Sequence, residues 1–202
     1  MATFYLVRHG TNDWLGKGLA GRLPNVHLNE LGRAEAERLA AVLARKNIHR
    51  IVSSPMERAR ETAQPLAREL GLEVELLEAV TEVDFGEWTG RTLTELNSIP
   101  AWGRFNTFRS GTRIPKGESM IEVQQRMVLA LETLRRTSPG QNIAIFSHGD
   151  PIRSALVYYL GMPLDLLVRL EVSPGSYSIL TVEGWGAEIL AINRLPASDP
   201  AT

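Results

Sequence analysis

The sequence predicts an α/β fold, a three-layer α/β/α arrangement around a mainly parallel central sheet. Short apolar, β-favouring runs alternate with segments of helical period, the pattern that covers both faces of a parallel sheet with helices. Two of those runs, residues 3–7 and 142–146, lead straight into Arg8-His9-Gly10 and Ser147-His148-Gly149. Such sheets present their sites beyond the carboxyl ends of the strands, so His9 and His148 are expected on one edge. A chain of 202 residues, 44% hydrophobic and 22% charged, is long enough for one domain with its own core.

The first strand covers residues 3–7. A loop follows to about residue 28, rich in turn formers such as Asn12, Asp13, Gly16, Gly18, Gly21 and Pro24. Loops of that length are functional or disordered. Asn29 caps a helix from Glu30 to about Lys46, with Leu31, Ala34, Leu39, Val42 and Leu43 near helical spacing, and Asn47 stops it. Residues 50–54 make a second strand. Pro55 then opens a helix with Ser54 as its cap, Gly71 ends it, and Pro65 should kink or divide it. Residues 73–77 read as a third strand.

From there to Gly117 regularity is weak, with Trp88, Trp102, Phe105 and Phe108 scattered among glycines and prolines. Residues 118–138 form an amphipathic helix whose Met120, Val123, Met127, Leu131 and Leu134 make a core stripe. After the strand at 142–146 come a helix over about 150–160, a helical turn or two within 164–170, and a closing hairpin of 177–182 with 188–193. Residues 1–195 are therefore expected to form a single domain, with 88–117 as a lid or insertion and 196–202 as a disordered tail.

Composition narrows the chemistry. The formal net charge is −1, so nothing global draws the chain to nucleic acid or an anionic membrane, and neither is expected as a partner. The chain has no cysteine, which removes disulfides, thiolate catalysis and cysteine-ligated metal sites. The N-terminus shows no signal-peptide pattern, and no apolar run approaches the ~18 residues that span a bilayer. A cytoplasmic location is the expectation.

A histidine nucleophile for phosphoryl transfer needs a neutral imidazole held in one tautomer. It also needs fixed cations around the phosphate and an acid for the departing oxygen. Arginine suits the second task, because its planar fork meets two phosphate oxygens at once. The chain offers Arg8 beside His9, Arg58 early in a helix that follows a strand, His148-Gly149 at another strand-to-helix junction, and Glu82 and Asp84 after the third strand.

Leu6-Val7-Arg8-His9-Gly10, Ser53-Ser54-Pro55-Met56-Glu57-Arg58-Ala59, Glu82-Val83-Asp84-Phe85-Gly86-Glu87-Trp88-Thr89-Gly90, Gly117-Glu118-Ser119 and Ser147-His148-Gly149 occur in that order. Together they resemble the histidine phosphatase superfamily, the group that contains the cofactor-dependent phosphoglycerate mutases. The likeness runs from about residue 3 to residue 182 and implies a phosphoglycerate mutase-like fold. It implies that His9 is the nucleophile, that Arg8, Arg58 and the Gly149 amide bind phosphate, that His148 donates to the transferring group, and that Glu82 is the general acid. It implies no metal and no other cofactor.

Departures follow the first motif. Thr11 stands where the family commonly has Glu or Gln, Asn12 where it has Ser or Thr, and Leu15 where it has a phosphate-binding Asn. Asn12 is the candidate replacement, while Trp14 matches a frequent tryptophan. Asp84 and Glu87 rival Glu82 for the acid role, and only geometry separates them. Arg60, Arg22 and Arg153 read as surface or structural charges, with Arg22 within reach of the pocket. Trp88 and Trp102 line a substrate lid or form satellite core. Arg104, Arg109 and Arg113 suggest a second anionic group on the substrate. His27 and His49 read as surface histidines.

The expected activity is a metal-independent phosphomonoesterase acting on a small phosphate ester. Only residues 83–116 separate Glu82 from Gly117, shorter than in the resembling mutases, which favours an open pocket and hydrolysis. The alternatives are a phosphoglycerate mutase-type phosphotransferase, a non-catalytic binder of phosphorylated ligands, and a metallohydrolase using the two histidines and a carboxylate. Oligomeric state stays open, a homodimer being one arrangement.

Overall fold

The computed structural model describes residues 1–196; the residues of the expected tail beyond that, 197–202, lie outside the described part. Six strands form one sheet in the order β3-β2-β4-β1-β5-β6. They are β1 (Ala2–Arg8), β2 (Arg50–Ser53), β3 (Val74–Leu76), β4 (Asn142–Ser147), β5 (Tyr177–Val182) and β6 (Ala187–Arg194). The first four in sequence run parallel, and β5 and β6 add an antiparallel edge. The mainly parallel α/β architecture read from the sequence is the one found.

Helices cover both faces. On one, α1 (Glu30–Leu43) and α2 (Glu57–Leu70) bury Leu39, Leu43, Ala63 and Leu66 against Tyr5, Val7, Ile51 and Phe146. On the other, α5 (Met120–Thr137) and α6 (Gly149–Tyr159) bury Met127, Leu131, Ile152 and Leu156 against Phe4, Leu6, Ile143 and Ile145. The central strands are apolar on both faces because both are covered. No helix among the described residues is long and apolar enough to cross a membrane.

Several local expectations need correction. Helix α2 begins at Glu57, with Met56 rather than Ser54 at its cap. The Ser54 hydroxyl accepts from the Met56 amide at 3.3 Å and so caps the turn before the helix. Pro65 neither divides nor ends α2, which continues to Leu70. Proline removes one intrahelical hydrogen bond, but Pro65 sits on the buried face with Ala63, Leu66 and Ala67, where packing carries the helix past the gap.

The weakly regular stretch holds two short helices, α3 (Leu93–Asn97) and α4 (Pro100–Thr107). Thr92 and Glu95 form a reciprocal capping box that starts α3, and Pro100 occupies the first turn of α4. Together with Phe85, Trp88 and Phe105 they close a third core against Val123, Val157 and Leu167.

Candidate active site

The site lies beyond the carboxyl ends of β1, β4 and β2. Arg8 and Ser147 are register partners on adjacent parallel strands, so the residues that follow them, His9 and His148, leave the sheet side by side. The His9 amide donates to the Ser147 carbonyl at 3.0 Å, and the imidazole centroids are 5.1 Å apart. The convergence expected from the repeated strand-to-His-Gly pattern is present.

Gly10 lets α1 come close. A side-chain carbon at Gly10 would lie 2.6 Å from the Gly32 carbonyl oxygen, and one at Gly32 would lie 2.1 Å from that of Thr11. Glu35 of α1 accepts from the Thr11 amide at 2.7 Å and its hydroxyl at 3.0 Å. Position 11 in this chain therefore ties the loop to α1.

The His9 Nδ1 faces the Gly10 carbonyl at 2.8 Å. A carbonyl only accepts, so Nδ1 carries the ring proton and Nε2 carries the lone pair. Arg58 Nε donates to that lone pair at 3.3 Å. Burial, then Arg58 and Arg8, hold the His9 imidazolium well below the usual imidazole range, against a smaller opposing effect from the Gly10 carbonyl. His9 is thus a neutral imidazole in one tautomer.

Arg58, on the first turn of α2, is fully buried, with Nη2 donating to the Gly21 carbonyl at 2.8 Å and contacting His148 Nδ1 at 3.2 Å. Arg8 Nη1 donates to the Val172 carbonyl at 2.6 Å. Arg8 Nε and Arg58 Nη1 are buried donors with no protein acceptor. Burial lowers the pKa of both guanidinium groups, which lie in one pocket. Orphaned buried donors on fixed cations are a cost that an anion would relieve.

His148 is fixed from its other side. The Ser54 hydroxyl donates to Thr81 Oγ1 at 3.3 Å and therefore accepts from His148 Nε2 at 2.8 Å. That leaves Nδ1 facing Arg58 and, at 3.7 Å, Glu82 Oε2. Burial, then Arg58 and His9, keep His148 neutral.

Glu82 is the carboxyl that reaches this centre. Oε1 accepts from the Val83 amide at 2.9 Å, and Oε2 lies 4.0 Å from Arg58 Nη2. Burial raises its pKa, with Arg58 opposing. The rivals are placed elsewhere. Asp84 accepts from the Gly86 amide at 2.9 Å within its own loop, and Glu87 pairs with Lys116 on the surface. Arg22 donates to the Glu82 carbonyl at 2.9 Å and to Glu118, and Arg126 also holds that carbonyl, at 3.1 Å. Arg22 supports the acid's backbone but does not line the pocket.

The pocket is a cleft of about 170 Å³ whose walls include Trp14, Leu15, Leu19 and Phe85 beside the polar centre. Asn12 is buried there, its Oδ1 accepting from the Trp14 amide at 2.9 Å, so its amide nitrogen remains available as a donor. Leu15 contributes only apolar wall. The remaining expected substrate residues are not in the cleft. Trp88 is buried, and its ring meets Trp102 and Phe105 edge-on at 5.5 Å, so these aromatics are core. Arg104 is exposed on α4, and Arg113 pairs with Glu122. Arg109 is buried over the Phe105 ring at 4.6 Å and donates to Asp150 at 2.8 Å.

Asp150, which the sequence reading did not single out, and Arg153, which it read as a surface or structural charge, are polar wall residues. Both follow Gly149 on α6, and Arg153 stands one turn beyond it, facing the strand ends. That spacing was the available signal.

A family model described as histidine phosphatase superfamily, branch 1, matches residues 4–195. Phosphoserine phosphatase 1 of Hydrogenobacter thermophilus is 30% identical over 96% of this chain and 92% of its own length. A 2,3-bisphosphoglycerate-dependent phosphoglycerate mutase of Thermoplasma acidophilum is 31% identical over 88% of this chain and 86% of its own. The solved structure of a phosphoserine phosphatase mutant from Entamoeba histolytica, in complex with phosphoserine, superposes with a TM-score of 0.86 at 26% identity, covering 96% of this chain and 97% of that one.

Proposed function

The chain belongs to branch 1 of the histidine phosphatase superfamily, and on that premise we propose that it is a phosphomonoesterase working through a phosphohistidine on a small phosphorylated metabolite. The observation that carries the reading is the fixed tautomer of His9. Its Nδ1 proton is held by the Gly10 carbonyl, and its Nε2 lone pair sits beside Arg58 in a cleft with Arg8 and Glu82.

In the first step the Nε2 lone pair bonds to phosphorus while the phosphorus–oxygen ester bond breaks. The Gly10 carbonyl stabilises the positive charge that develops on the ring. Glu82, whose pKa burial raises, gives its proton to the leaving alkoxide, which departs as the alcohol. In the second step the Glu82 carboxylate takes a proton from water. The water oxygen bonds to phosphorus, the phosphorus–nitrogen bond breaks, and inorganic phosphate and neutral His9 result.

Arg8, Arg58, the Gly149 amide and Asn12 hold the phosphoryl oxygens, the arginines supplying the charge a metal would otherwise supply. Binding of the dianion is accompanied by uptake of one proton from solvent onto His148 Nδ1, which then donates to the transferring group. Glu82 is assigned the acid role because Asp84 and Glu87 are engaged elsewhere.

Phosphatase is favoured over mutase because, within residues 88–117, Trp88, Trp102 and Phe105 pack into the core while Phe108 is exposed, and the backbone of the segment braces the pocket loop. We read the segment as a brace within a single domain.

The test is a panel of small phosphate esters with excess chelator, wild type against His9→Ala, with rapid-quench detection of acid-labile phosphate on His9. Phosphate release that chelator leaves intact and His9→Ala abolishes supports the reading. Interconversion of phosphoglycerates without net release replaces it with the mutase. Neither turnover nor phosphate at His9 overturns it.

A further inference from the structure

We infer that Glu118 is the positioning residue of the general acid: its carboxylate holds two arginines that fix the backbone of Glu82, and so sets how well the leaving group receives its proton. The inference rests on the phosphomonoesterase reading above and gives the Gly117-Glu118-Ser119 motif a part that reading leaves unassigned.

The Glu82 carboxyl is not aimed by partners of its own. Oε1 accepts from the adjacent Val83 amide at 2.9 Å. Oε2 stands 3.7 Å from His148 Nδ1 and 4.0 Å from Arg58 Nη2, beyond hydrogen-bond range. Where the carboxyl points is thus decided by where the backbone around Glu82 lies.

Arg126 holds that backbone. Its Nη1 donates to the Ala79 carbonyl at 2.9 Å and the Thr81 carbonyl at 2.8 Å, and its Nη2 to the Glu82 carbonyl at 3.1 Å. Arg22 Nε donates to the same Glu82 carbonyl at 2.9 Å. Both arginines are held in turn by Glu118. Arg126 Nε donates to Oε1 at 2.9 Å and Nη2 to Oε2 at 3.1 Å, the paired geometry that fixes a guanidinium plane. Arg22 Nη2 donates to Oε2 at 2.9 Å, and the Asp84 amide donates to it at 2.9 Å. One carboxylate thereby ties down the chain on both sides of Glu82.

The neighbours of Glu118 serve the same contact. A side-chain carbon at Gly117 would lie 2.3 Å from the Asp84 carbonyl oxygen, which accepts from the Glu118 amide at 3.0 Å. Ser119 forms a capping box with Glu122 and so starts α5, the helix that carries Arg126. A glutamine at position 118 would keep the shape but turn an NH₂ toward groups that themselves donate. The clamp would then open and shift the acid, and a misplacement of ~1 Å can cost a reacting group about a hundredfold.

The experiment compares kcat/KM on p-nitrophenyl phosphate and on an alkyl phosphate that the panel above shows to be hydrolysed. The proteins are wild type, Glu118→Gln, Arg126→Lys, Glu82→Gln and the double variant Glu82→Gln/Glu118→Gln. This parameter reports the steps up to departure of the leaving group, and p-nitrophenolate departs without a proton whereas an alkoxide does not. Glu118→Gln is expected to lose about tenfold to a hundredfold on the alkyl phosphate and less than about threefold on p-nitrophenyl phosphate. In the Glu82→Gln background it should leave the alkyl-to-aryl ratio unchanged, because the acid it positions is gone. Arg126→Lys, which keeps the charge but not the fork, should move the ratio in the same direction, and it serves as the test if Glu118→Gln does not fold. Equal losses on both substrates, or a ratio that falls as far in the Glu82→Gln background, overturn the inference while leaving the phosphatase reading intact. Wild type that hydrolyses p-nitrophenyl phosphate but no alkyl ester has no working acid to position, which also overturns it. No release from either kind of ester overturns both.

Discussion

At the residue scale the site depends on groups whose proton affinities burial has shifted. Burial raises the pKa of Glu82, and burial with neighbouring cations holds His9 and His148 well below the usual imidazole range. The signs define the pH profile. Turnover needs the Glu82 proton, so kcat falls as pH rises through the elevated Glu82 pKa. It also needs the His9 lone pair, so kcat/KM falls only at a pH well below the usual imidazole value. Glu82→Gln keeps the shape without the proton and should lower kcat on an alkyl phosphate by about 10²–10⁴-fold, less on p-nitrophenyl phosphate, and erase the alkaline limb. An alkaline limb that persists in Glu82→Gln would move the acid role elsewhere. The same substitution should raise Tm at neutral pH, since a buried carboxyl that must keep its proton costs stability above its ordinary pKa.

At the element scale the cleft wall is a loop held by another loop. The Leu19 amide donates to the Arg91 carbonyl at 3.0 Å, the Gly90 amide to the Leu19 carbonyl at 2.7 Å, and the Leu93 amide to the Lys17 carbonyl at 2.9 Å. Gly18 sits where the two backbones touch, and a side-chain carbon there would come within 2.4 Å of the Arg91 carbonyl oxygen. Gly18→Ala should push the wall outward and raise KM with a smaller change in kcat, a split that steady-state kinetics reads directly; an unchanged KM would show that this brace does not shape the cleft. These contacts also show what the sequence could and could not say. His9, His148 and Arg58 were legible because strand ends and a helix start deliver them, and backbone periodicity encodes both. The start of α3 was not read, although Thr92 and Glu95 stand three apart as a capping box, because helices of five and eight residues carry too little periodicity to announce themselves. Trp88 and Arg109 suggested substrate contacts, and both face inward, because whether an aromatic or arginine lines a cleft or its underside depends on packing between segments distant in sequence. Arg153 read as a surface or structural charge for the same reason, and it lines the cleft.

At the scale of the whole molecule, a chain of net charge −1 gathers buried cations at one end of the sheet, beside two buried histidines whose neutrality makes its stability depend on pH. Both histidines have folded-state pKa values well below the ordinary value of about 6.5. Below pH 6.5 the unfolded chain therefore binds protons that the folded chain refuses, and stability drops as pH falls. Each histidine contributes a slope of up to about 1.4 kcal/mol per pH unit until its own folded pKa is reached. Asp150, whose folded pKa is lowered, acts in the same direction only in the acid range of its own titration. Glu82, whose folded pKa is raised, acts in the opposite direction above the ordinary carboxylate range. Thermal unfolding between pH 8 and pH 5 should thus show Tm falling below pH 6.5, and His9→Gln should show a shallower fall because one of the two groups is gone. Inorganic phosphate should raise Tm, since an anion that binds only the folded state adds about 2.7 kcal/mol at a hundred times its Kd. It should also steepen the alkaline side, because a bound dianion favours the His148 imidazolium and that proton is lost again as pH rises. A Tm-versus-pH curve identical in wild type and His9→Gln would mean that the cation cluster does not hold His9 neutral. The fixed nucleophile would then lose its electrostatic basis, whatever its rate of turnover.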